Sequence, residues 1–109
     1  MALLKGTLDV LVLKTLSWGP MHGFAIINWI ETRSSGLVDV TDAAMVQALH
    51  RLEARGLISA EWGQTKAGRQ ARFYELTTAG RAHLKVEAAT LADHVEALTS
   101  ILTARSAKV

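Results

Sequence analysis

Between Asp42 and Thr77 the chain reads as a short helix, a tight turn and two strands joined by a loop whose only charges are positive. The helical stretch runs from Asp42 to Arg55 and is stopped by Gly56; strands follow at Leu57 to Trp62 and at Ala71 to Leu76. Between Glu61 and Glu75 there is no acid, only Lys66, Arg69 and Arg72. A helix followed by a basic ribbon is the layout of a winged helix-turn-helix, which sets the helix in a DNA groove and the ribbon beside the backbone. Counterion release depends on local charge of one sign. The +3 carried from Trp62 to Tyr74 therefore matters more than the formal net charge of +2. A solvated basic turn is the plainer alternative.

A chain of 109 residues is about one domain. At this length roughly two thirds of the unfolded surface is buried on folding, enough for a core without staples. Half of the residues are apolar, and part of that surplus is expected in a subunit interface. No cysteine is present, so neither a disulfide nor a thiolate metal site can form, as suits a reducing compartment. Residues 1–6 lack the apolar run of a signal peptide, and Asp9 and Lys14 interrupt the next apolar stretch. The expectation is a soluble cytoplasmic protein with no membrane contact.

Thr7 is a candidate cap for a first helix reaching about Ser17. Leu8, Leu11, Val12 and Leu16 form one stripe, while Val10 and Leu13 fall on the opposite side. A helix apolar on two sides is buried on two sides, so Val10 and Leu13 are expected to face another subunit. Residues 18–23 read as a turn containing the single proline, Pro20. A second helix from Gly23 to Arg33 places Ile26, Ile27 and Ile30 on one face, and residues 37–40 suggest a short edge strand. In the third helix, with Thr41 or Asp42 as N-cap, Met45, Ala48, Leu49 and Leu52 point inward. Ala43, Gln47, His50 and Ala54 centre on the outer side, flanked by Val46 and Arg51. That face is small and polar, without an acid at its centre, and could enter a groove.

From about Thr78 to Ala104 the pattern is helical again. Leu84, Leu91 and Leu98 recur every seven residues, with Ala88, Val95 and Leu102 at the alternate seam positions. Such a seam calls for a helical partner, and a two-fold dimer suits a palindromic DNA site. The expected fold is mainly α with a small β-hairpin: a winged helix-turn-helix over residues 1–78 and a long C-terminal dimerisation helix over 79–109.

Lys66 and Arg69 at the wing tip are the first candidates for phosphate or minor-groove contact. Arg72 either joins them or pairs with an acid across the sheet. Gln47 and His50 can address base edges, Arg51 a phosphate, and Thr41 and Ala43 lie on the segment nearest DNA. Arg55 suits the helix dipole. Trp18 and Trp29 are candidates for an effector pocket, with core or interface anchoring as the alternative. His83 and His94 are roughly 16 Å apart along a helix and cannot share a metal ion. No catalytic constellation or phosphate-cradling loop is present, so neither enzymatic activity nor a cofactor is expected.

Four segments resemble the PadR family of transcriptional regulators, in its short form with one C-terminal helix. They are Leu4-Lys5-Gly6-Thr7-Leu8-Asp9, Gly19-Pro20-Met21-His22-Gly23-Phe24, the run from Ala48 to Ile58, and Gly68-Arg69 leading into the run from Phe73 to Gly80. The resemblance implies a winged helix, a homodimer completed by the terminal helix, usually repression, and an effector able to bind near the dimer interface. Where the family commonly has Leu-Tyr-Pro, this chain has Met45-Val46-Gln47, and its terminal helix has no aromatic on which a flat effector could stack. Double-stranded DNA, a second copy of the chain and a small-molecule effector are thus the expected partners. A protein-binding winged-helix adaptor is the alternative.

Overall fold

Three of the helix starts are fixed by side chains that accept the first free backbone N–H groups, and those caps set the element boundaries. A computed structural model describes Leu3 and residues 6–105. The elements are α1 (Thr7–Leu16), β1 (Met21–His22), α2 (Gly23–Arg33), α3 (Asp42–Ala54), β2 (Ile58–Gln64), β3 (Gln70–Leu76) and α4 (Thr78–Leu102). His22 Nδ1 accepts from the Ala25 N–H at 3.2 Å, Thr41 Oγ1 from Ala44 at 3.1 Å and Thr77 Oγ1 from Gly80 at 3.0 Å. The first helix departs from the expected cap. Gly6, with φ of 88°, occupies the N-cap position of α1, and Thr7 is already helical.

The sheet has strand order β1-β3-β2 and is antiparallel throughout. Its third strand is not the expected segment at residues 37–40, which forms no strand. It comes from the turn before α2, where Met21 pairs with Tyr74 and His22 with Phe73. Val38 and Val40 alternate because both pack on the core, so a period of two arises without a ladder. The 7 residues of β2 and of β3 extend the hairpin beyond the expected ends, pairing Ile58 with Leu76 at the root and Gln64 with Gln70 near the tip.

Val12, Leu13 and Leu16 of α1, the isoleucines of α2, the inner face of α3 and the strand residues Ile58, Tyr74 and Leu76 make one core. The start of α4 closes it. A Cβ on Gly80 would lie 1.9 Å from the Leu57 carbonyl oxygen, so only glycine lets the helix come this near the turn before β2. The Thr77 N–H donates to that same oxygen at 3.1 Å, and the Thr77 hydroxyl donates to the Gly56 carbonyl at 2.7 Å.

Two expected interface residues belong to this core instead. Leu13 is 1% exposed and Leu84 9% exposed within the single chain, because the first turns of α4 lie against α1 and cover both. Val10 and Ala88 are also partly buried against the core. Beyond Leu91 the helix leaves the body: Val95, Leu98, Ile101 and Leu102 are exposed. The molecule measures 61 × 28 × 21 Å. Its radius of gyration is 16.2 Å, against ~13 Å for a compact domain of this size.

Candidate nucleic-acid interface

Burial of Met45, Ala48, Leu49 and Leu52 fixes how α3 is turned, and it leaves Asp42, Ala43, Val46, Gln47 and His50 exposed. The open face expected from the helical projection is therefore present. Beside it runs the hairpin. The Thr65 N–H donates to the Arg69 carbonyl at 2.8 Å, and the Gly68 N–H to the Thr65 carbonyl at 2.9 Å. Gly68 has φ of 81°, as a three-residue hairpin loop with its last member left-handed requires. This tight tip holds up Lys66 and Arg69, both exposed and neither in an ion pair among the described residues.

The other two cations have protein partners. Arg51 donates to both oxygens of Asp9, at 2.7 and 3.3 Å, joining α3 to α1. These bonds raise the Arg51 pKa above its usual value. Packing α1 on α3 brings this carboxylate to Arg51, whose side chain stays 51% exposed. Arg72 donates to Glu53 at 3.0 Å and lies 5.6 Å from the Tyr74 ring centroid, tying the wing to α3. Of its two expected roles, pairing with an acid is the one observed, although that acid comes from a helix rather than from the sheet.

A cleft of about 410 Å³ opens where α2, α3 and β3 meet; Phe24, Ile27, Met45, Val46 and Leu49 give it apolar walls, with Asp42 and Arg72 among its lining residues. Exposed Phe24 and Val46 on this wall were not singled out as contacts by the sequence. A second cleft of about 300 Å³ between α3 and the wing is lined by His50, Glu53, Ala54 and Arg72. Away from this face, the ring centroids of Trp18 and Trp29 are 6.5 Å apart, and the Arg33 guanidinium lies 5.9 and 5.2 Å from them respectively. Arg33 follows Trp29 by four residues, a helical spacing that could have flagged it. Among the described residues no group of three or more His, Cys, Asp or Glu could hold a metal ion, and no helix is long and apolar enough to cross a membrane.

A helical core, a third helix with an open outer face and a hairpin at its side define the winged-helix class. Residues 12–86 match the family described as "Transcriptional regulator PadR-like family". The chain belongs to that family, whose members are transcriptional regulators rather than enzymes. The fold is similar to that of a transcriptional regulator from Clostridium thermocellum, with TM-score 0.77 and 21% identity, covering 88% of this chain and 93% of that one. It also resembles a PadR-like transcriptional regulator from Bacillus cereus, with TM-score 0.78, 17% identity and coverage of 93% and 96%. PadR of Bacillus subtilis, solved in complex with operator DNA, matches with TM-score 0.65 and 19% identity over 73% of this chain and 45% of that one.

Proposed function

We propose that this regulator is a homodimeric repressor that binds a palindromic operator in the cytoplasm. In this reading α3 enters the major groove: Gln47 and His50 address base edges, and Thr41 and Ala43 lie close to the DNA. Lys66 and Arg69 reach flanking phosphates. Arg51 and Arg72 hold the wing and α3 in place. Residues 1–78 act as the DNA-binding unit and 79–109 as the dimerisation element, with Leu91, Val95, Leu98 and Leu102 as its contacts and Val10 and Ala88 at its border. The solved operator complex of Bacillus subtilis PadR supports the DNA reading by its shared fold. Relief by a small-molecule effector belongs to the same reading, with Trp18 and Trp29 as candidate contacts and Arg33 favouring a flat, electron-rich ligand.

The observation that carries the proposal is a pair of cations, without an ion pair among the described residues, on a hydrogen-bonded wing tip beside an unobstructed helix face. Duplex DNA should retain the protein at low salt. Replacing Lys66 and Arg69 with Ala should flatten the salt dependence of binding by about two units per protomer and weaken all sequences alike. Passage through a duplex column at low salt would favour the adaptor, and an unchanged slope would take the wing off DNA.

A further inference from the structure

Val46 stands where the resemblance leads one to expect a tyrosine, and the geometry around it is specific. It is a residue of α3's outer face, 52% exposed, and it follows Met45, which is buried. Its neighbour Gln47 is exposed on the same side of the helix. Val46 also lines the apolar wall of the 410 Å³ cleft with Phe24, which is 67% exposed at the start of α2. A branched hydrocarbon next to an amide, on the face proposed to enter the groove, meets a particular chemistry there. In the major groove thymine presents a 5-methyl group, and adenine presents the donor and acceptor pair that a Gln amide matches.

We propose that Val46 is a specificity-determining residue that reads the 5-methyl group of a thymine adjoining the base addressed by Gln47. This inference rests on the DNA-binding reading and deepens it. A bulky phenol at this position would hold a hydroxyl against the base edges; the valine removes that polar group and leaves only apolar contact. The methyl is then the feature that distinguishes thymine from cytosine at that pair, the bases being otherwise told apart by O4 and N4. Phe24, on the same cleft wall, adds apolar surface beside the contact.

The test uses the full-length chain and duplexes selected by it from a random pool. Each thymine of the selected site is replaced in turn by deoxyuridine, which lacks only the methyl. One position per half-site should then bind about fourfold more weakly, the equivalent of ~0.8 kcal/mol for one buried carbon. V46A should lose that sensitivity while keeping its melting temperature, because the side chain is half exposed. If every uracil-containing duplex binds as the parent does, or if V46A remains sensitive, Val46 does not read the methyl. Binding with an intact salt slope would in that case leave the DNA reading standing. If no duplex is enriched at all, the DNA reading falls and this inference with it.

Discussion

Along α4 one apolar seam is continuous, yet its first half lies against α1 and its second half stands clear of the chain. Leu84 is in the core, whereas Val95, Leu98 and Leu102 are exposed at the same helical phase. A seven-residue repeat records that a helix has a partner along its length, not which chain supplies the partner at each turn. The proximal half is anchored at Gly80, which packs close to the Leu57 carbonyl, and at Thr77, whose N–H donates to Leu57 and whose hydroxyl donates to Gly56. Among the described residues the distal half has no such anchor. Apolar side chains left in water at helical spacing favour association, and a second copy offers the matching surface.

The largest expected effect separates the halves. Leu84→Ala should destabilise the fold by about 2–4 kcal/mol, read from urea denaturation, because it opens a cavity under α4. On the proposed reading, Leu98→Asp should leave far-UV circular dichroism unchanged, convert the proposed dimer to monomer in sedimentation velocity, and weaken the proposed operator binding about 100-fold through lost bivalency. If both substitutions instead unfold the chain alike, the halves do not differ in the way described. The smallest change sharpens the border between them. Asp9 lines a cleft of about 190 Å³ with His83 and Glu87 of α4 while holding Arg51. Asp9→Asn should cost no more than about 1 kcal/mol, as for an exposed ion pair, with association unaffected.

Helix positions, the two main strands and the outer face of α3 were legible in the sequence because each is written in a local period or a capping residue. Thr41 and Gly56 mark the boundaries of α3, and the acid-free stretch around Lys66 marks the wing. What escaped depended on residues distant in the chain. Asp9 reaches Arg51 across 42 positions, and no local pattern announces it. Met21 and His22 become a strand only because β3 offers a free edge, while Val38 and Val40 mimic one while packing inward. Burial of Leu13 follows from α4 folding back on α1, which a projection of α1 alone cannot express. Of the eight residues expected at DNA, the structure leaves Thr41, Ala43, Gln47, His50, Lys66 and Arg69 exposed and gives Arg51 and Arg72 to carboxylates.

Selection of bound duplexes from a random pool at physiological salt tests the central claim most directly. A dimer joined along distal α4 and presenting two α3 helices should enrich two-fold symmetric sites whose half-sites lie about one or two helical turns apart. Enrichment of a single unpaired half-site, or of no sequence at all, would contradict the account.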